Sequence, residues 1–175
     1  RHRIDRRRSY PSDPLPAPGG WLSLSEATDD PVGYLPGPNL EQLALACLRA
    51  HDLDGLRELL AGFDAFLDGL AVAASRAGAH PYLPAGAAEV LPGDCVDLGF
   101  DNLVPGGDGG LVLIDDEWWA DGGVDRELAT IRALWKLVWV TVASGTDHPW
   151  PASATIDDLA VLFFGLLPGR VGADP

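Results

Sequence analysis

Asp97-Leu-Gly-Phe-Asp-Asn102, followed by Leu111-Val-Leu-Ile-Asp115, is the stretch on which the reading of this chain turns. It presents an acid, an amide five positions on, and a second acid that closes an apolar run. Between them Pro105-Gly-Gly-Asp-Gly-Gly110 separates the short apolar runs Leu103-Val104 and Leu111 to Ile114, and predicts a β-hairpin turn. Such a hairpin brings Asn102 and Asp115 side by side despite their separation. Asp97 is then a candidate base for a hydroxyl proton. Asn102 offers a neutral carbonyl oxygen and Asp115 a carboxylate to Mg²⁺, which takes hard oxygen ligands. Phosphoryl transfer asks little more of a protein than positioning, a proton acceptor and cations on the phosphate oxygens. The bland alternative is that all three are turn residues in an Asp-rich chain.

Working outward, the flanking segments read as helices. Asn39 is a good N-cap with Gln42 as its capping-box partner, so a helix is expected from about Leu40 to Ala50. Asp52 or Asp54 caps a longer one. There Leu56, Leu59, Leu60, Phe63, Phe66, Leu67, Leu70 and Ala74 recur at helical spacing, with an end expected near Gly78. A Pro-, Gly- and Ala-rich stretch fills residues 79–94, and a strand is expected around Cys95 to Leu98. Gly122-Gly123 precedes a third helix, about Asp125 to Ala143. Thr155 with Asp158 starts a last helix through Leu167, before Pro168-Gly169. Short extended pieces are expected at Trp21 to Ser25 and Val32 to Leu35. The fold class is therefore α+β, mainly helical, with helices around a short β-hairpin. Residues 1–20 read as a basic, proline-rich tail or linker, 21–170 as the domain, and 171–175 as a tail.

Composition narrows the function. A chain of 175 residues, 47% apolar, can bury a core as one domain. It starts at Arg1 and has no methionine, which reads as a piece of a longer polypeptide, a trimmed chain or a misplaced start. The formal charge is −14, and the first ten residues hold five arginines against Asp5, a local +4 that leaves −18 elsewhere. So acidic a body repels nucleic acid and anionic membrane surfaces. The longest apolar stretch, Ala133 to Ala143, is interrupted by Lys136 and is too short to span a bilayer. Cys47 and Cys95 are the only cysteines; Cys47 reads as core, and no pattern points to zinc. With no apolar leader, a cytoplasmic location is expected.

The layout of a long helix, an Asp-containing loop and a hairpin resembles the large lobe of aminoglycoside- and choline-kinase-like proteins. Val32-Gly-Tyr-Leu-Pro-Gly-Pro-Asn-Leu40 is similar to their hinge segment. More narrowly, Asp97-Leu, Asn102-Leu-Val, Ile114-Asp with Glu117-Trp118, and Arg132-Ala-Leu-Trp135 resemble a C-terminal region of some bacterial, especially actinobacterial, proteins. There it follows an S-adenosylmethionine-dependent methyltransferase or sugar-transfer domain. The resemblance implies a kinase-like large lobe without a complete small lobe, with Asp97 catalytic and Asn102 and Asp115 holding Mg²⁺ and ATP. S-adenosylmethionine would enter only through a fused domain, and the partner would be a small molecule or a neighbouring domain. The chain departs from the kinase pattern. Cys95-Val96 precede Asp97, where His is usual. Gly99 stands where a basic residue is common, and no Gly-rich loop is present. The one lysine, Lys136, lies in a late helix rather than on a strand.

Other chemistries fit less well. Cys95-Val-Asp-Leu-Gly99 lacks the further glycines a methyltransferase cofactor loop needs. No G-x-S-x-G elbow supports a hydrolase. His80 and His148 sit beside prolines without a partner pattern. Trp135 and Trp139, at i and i+4, read as helix and core packing. Adjacent Trp118 and Trp119 should point to opposite faces. Three functions remain: a kinase-like accessory or degenerate domain of a larger enzyme, an ATP-dependent small-molecule phosphotransferase, and a non-catalytic helical interaction domain.

Overall fold

The computed structural model describes residues 20–24, 35–74, 78–107, 109–115 and 117–169. The expected tails at 1–20, Gly20 apart, and 171–175, and most of the extended piece at Val32 to Leu35, lie outside them. The elements run β1 (Leu22–Leu24), α1 (Leu40–Arg49), α2 (Leu53–Leu70), β2 (Val72–Ala73), β3 (Glu89–Leu91), β4 (Leu103–Pro105), β5 (Leu111–Leu113), β6 (Trp118–Ala120), β7 (Val124–Asp125), α3 (Arg126–Ala143) and α4 (Ile156–Gly165). The architecture is α+β and mainly helical. Its strands form three small antiparallel sheets, ordered β1-β6, β2-β3-β7 and β4-β5.

Local chemistry sets most helix starts. Asn39 accepts from Gln42 N at 2.9 Å while Gln42 Oε1 accepts from Asn39 N, completing a capping box. Asp52 caps α2 and Asp125 caps α3, each through its carboxylate and a backbone N–H three residues on. Thr155 and Asp158 form a second capping box on α4. The helices then bury one stripe each into a shared core. Leu56, Leu60, Phe63 and Leu67 of α2 are fully enclosed, as are Ala133 and Val138 of α3 and Leu159 and Phe163 of α4. Phe63 meets Phe100 at 4.7 Å between ring centres, so the loop carrying Asp97 and Asn102 is anchored directly in that core.

Three boundaries differ from expectation. The long helix stops at Leu70 rather than near Gly78. Ala71 turns extended (φ −70°, ψ 138°), and Val72 and Ala73 pair with Val90 and Glu89. Gly78 belongs instead to a turn, its N–H donating to Leu83 O at 2.8 Å. The strand expected at Cys95 to Leu98 is a 3-10 helix over Gly93–Asp97. Adjacent Cys95 and Val96 are both buried, which a strand with one covered face cannot achieve. The last helix ends at Gly165, two residues short of Leu167. Arg126, at the start of α3, ties the layers: it reaches Asp64 at 2.8 Å, Asp68 and Glu89.

Gly123 has φ +92°, and a Cβ there would lie 2.4 Å from Leu91 O and from Val90 Cγ1. Gly62 is exposed in mid-helix with open space around it. Gly123→Ala should therefore cost about 2–4 kcal/mol. Gly62→Ala should gain about 1 kcal/mol. Urea unfolding midpoints of the two variants check both signs.

Candidate functional site

The loop from Asp97 to Asn102 is built as two short 3-10 segments joined at Gly99. Asn102 closes it. The residue is 8% exposed, and its Nδ2 donates to the Asp97 carbonyl oxygen at 3.1 Å. Its backbone N–H donates to Gly99 O at 3.1 Å, and its own carbonyl accepts from Ile114 N at 2.9 Å. That last bond continues the β4–β5 ladder, in which Leu103 pairs with Leu113. The hairpin expected from the glycine-rich turn is therefore present. It sets Asp115, half-buried, one residue beyond the cross-strand neighbour of Asn102. Asn39 Nδ2 donates to Asp101 O at 3.1 Å, so the capping residue of α1 also holds the loop.

Two cations that the sequence reading did not place in the site come from α3, one helical turn apart. Arg132 donates to Val96 O and sits 3.6 Å from the Asp97 carboxylate. Its guanidinium also lies 4.9 Å from the centre of the Tyr82 ring. Tyr82 in turn packs on Trp21, which stacks on His80 at 4.6 Å. Lys136 Nζ lies 2.9 Å from Asp101 Oδ2. A Cβ at Gly99 would fall 2.3 Å from Asp101 Oδ1 and 3.1 Å from Lys136 Nζ. The space that a longer side chain at position 99 would need is thus taken by a lysine from another element. Both pairs are part-exposed, so each adds at most about 1 kcal/mol to stability; their role is to set charge and geometry.

The carboxylates are consequently not a bare acidic pocket. No group of three or more His, Cys, Asp or Glu side chains converges on a metal position among the described residues. Asp97 is engaged by Arg132 and the Asn102 side chain by the Asp97 carbonyl, so a Mg²⁺ held by Asp97, Asn102 and Asp115 would draw few ligands from the protein. This set suits a metal that keeps several waters and phosphate oxygens, not an all-protein cage. Cys95 is buried beside Asp94 and its thiol is pushed up to about 12, so it is inert at neutral pH. Cys47 is only partly buried but packs against the core.

Beside the loop, Leu98, Ile131, Arg132, Trp135, Lys136 and Trp139 line an open cleft of about 360 Å³. Trp135 is 44% and Trp139 59% exposed, which corrects their reading as core packing. The buried stripe of α3 is Ala129, Thr130, Ala133, Leu134, Leu137, Val138 and Thr141, and the tryptophans lie off it. Spacing alone registers that two residues share a face, not which face is covered. Trp118 packs against the core while Trp119 is exposed, the opposite-face arrangement expected of neighbours in a strand.

Glu41, on the first turn of α1, has its carboxyl raised above the usual 4.5, first by burial and then by Asp101, with Lys136 opposing. A raised native value means that the native state binds the proton more tightly than the unfolded chain. Its stabilising contribution is full below about pH 4.5 and is lost as pH rises through the raised value. Stability of Glu41→Gln relative to the parent should therefore improve as pH rises through that window. Urea midpoints at a series of pH values test this, and a difference that does not move with pH contradicts it. Compared with models of known protein families, with curated proteins and with solved structures, the chain matches none.

Proposed function

We propose that this chain is a kinase-like accessory domain of a larger enzyme, retaining the metal-binding half of a Mg²⁺-nucleotide site in which Asp97 faces the acceptor and Asn102 and Asp115 hold the metal. The observation that carries the reading is the clip made by Asn102. One buried residue joins the loop of the first acid to the strand that leads into the second, so Asp97 and Asp115 share a fixed frame. Resemblance of Asp97-Leu, Ile114-Asp and Arg132-Ala-Leu-Trp135 to the methyltransferase-associated region names the larger enzyme as S-adenosylmethionine-dependent. That cofactor would be bound by a fused domain. A reducing, cytoplasmic setting accords with two unpaired thiols.

The same geometry supports reading the domain as degenerate rather than as a complete phosphotransferase. Arg132 already engages Asp97, and Lys136 already engages Asp101. The cations nearest the loop are therefore committed to carboxylates and not directed at a triphosphate. A domain of this kind binds nucleotide weakly or positions a neighbour, and it transfers phosphate poorly. The exposed tryptophans of α3 favour a second reading, a helical interaction domain, which requires no metal.

Calorimetric titration of the chain with ATP, with and without Mg²⁺, separates these readings. The expected result is binding that requires Mg²⁺, is lost in Asp115→Ala, and is not accompanied by phosphate transfer to small-molecule hydroxyls. Transfer that also depends on Asp97 would instead mark an active phosphotransferase. Absence of binding at millimolar nucleotide would leave Asp97, Asn102 and Asp115 as structural turn residues.

A further inference from the structure

His80 is the one buried histidine among the described residues, and both of its ring nitrogens are engaged. Nε2 lies 3.0 Å from the carbonyl oxygen of Asp121, which can only accept, so Nε2 carries a hydrogen. Nδ1 lies 3.2 Å from the backbone nitrogen of Tyr82, whose N–H can only donate, so Nδ1 presents its lone pair. The two partners together select one form of the ring, the neutral Nε2–H tautomer. An imidazolium carries N–H on both nitrogens and cannot keep the bond from Tyr82. Two donors would then face each other beside a buried ring.

The ring closes a strap. Residues 78–83 fold back on themselves, with Gly78 N–H donating to Leu83 O at 2.8 Å and Leu83 N–H to His80 O at 2.9 Å. The strap is held to the rest of the domain by His80 at Asp121 O, by Asp125 N–H donating to Tyr82 O at 2.7 Å, and by the fully buried Leu83. Trp21 stacks on His80 at 4.6 Å and 8°, and its carbonyl accepts from Asp121 N at 2.8 Å. His80 thus joins the strap, the residue ahead of β1 and the turn after β6. The charged groups on these surroundings are Asp121, Asp125 at the end of β7, and Arg132 of α3 over the Tyr82 ring. Asp125 is committed to Leu128 N–H, and Arg132 to Val96 O and Asp97. Asp121 is exposed, and the Trp21 face attracts a cation. The place to which Nδ1 points is nevertheless taken by the Tyr82 N–H.

We propose that His80 is an acid-sensitive clasp, which closes the strap while neutral and releases Tyr82 when it takes up a proton. Closure requires the neutral ring, so the proton binds the open strap better and falling pH opens it. Tyr82 carries Arg132 at 4.9 Å, and Arg132 reaches Asp97, so opening withdraws the ring from beneath a cation of the loop. The inference rests on the two hydrogen bonds of His80 and is independent of the nucleotide reading.

Nitrogen-15 NMR of imidazoles and backbone amides in the full chain, from about pH 8 to about pH 5, is the test. At the upper end His80 should show the Nε2–H tautomer and Tyr82 a protected amide. As the ring takes up its proton, protection at Tyr82 should fall roughly tenfold while the α2 amides stay protected. In His80→Asn the side-chain oxygen can accept from the same N–H, and the pH step at Tyr82 should vanish. An Nδ1–H tautomer overturns the proposal, as does a ring that stays neutral down to about pH 5. So does a Tyr82 amide that keeps its protection once His80 is charged, or the same pH step in His80→Asn. Loss of α2 protection in the same step also overturns it, because acid would then be unfolding the whole domain.

Discussion

The buried amide of Asn102 is the point on which the loop, the hairpin and the candidate site all depend. Its Nδ2 satisfies the Asp97 carbonyl, its N–H satisfies Gly99 O, and its carbonyl is satisfied by Ile114. Each of these hydrogen bonds adds only about 1 kcal/mol net, but a buried polar group left without a partner costs about 1–3 kcal/mol. The loop therefore cannot open one bond at a time cheaply. Phe100, enclosed against Phe63, locks the same loop from its apolar side. Polar closure and apolar anchoring together fix the Asp97 backbone relative to the strand that leads to Asp115.

Helix α3 supplies the other half of the constraint. One face fills the core, and the edge beside it carries Arg132 and Lys136 to the loop. These two cations neutralise Asp97 and Asp101 at a separation set by a single helical turn. Tyr82 and Trp21 extend the contact from Arg132 toward β1, so the first described strand, the loop and α3 are joined through one run of aromatic and charged groups. Arg132 and Lys136 thus offset, locally, part of a net charge of −14.

What could be read from the sequence was local. The capping boxes at Asn39 and Thr155, the Asp52 cap and the glycine-rich hairpin turn each lie within a few residues of the structure they specify, and all are present. What could not be read depends on contacts far apart in the chain. The end of α2 is set by pairing of Val72 with Val90, and the apolar run at Cys95 to Leu98 folds as a 3-10 helix because both Cys95 and Val96 are covered. Arg132 and Lys136 lie 35 residues beyond Asp97 and Asp101, so no motif spacing links them to the loop. Gly99 was the available clue: a glycine where a cation is common leaves space that another element can fill. The exposure of Trp135 and Trp139 was hidden for the same reason, since an i, i+4 pair is compatible with either face of a helix.

Residue-resolved amide hydrogen exchange tests the central claim, that the loop and hairpin form one preformed frame closed by Asn102. The N–H groups of Asn102 and Ile114 should exchange only through global unfolding, with protection equal to that of the α2 core amides. Rapid exchange at these two amides while α2 stays protected would show that the loop opens on its own, and the shared frame of Asp97 and Asp115 would not exist.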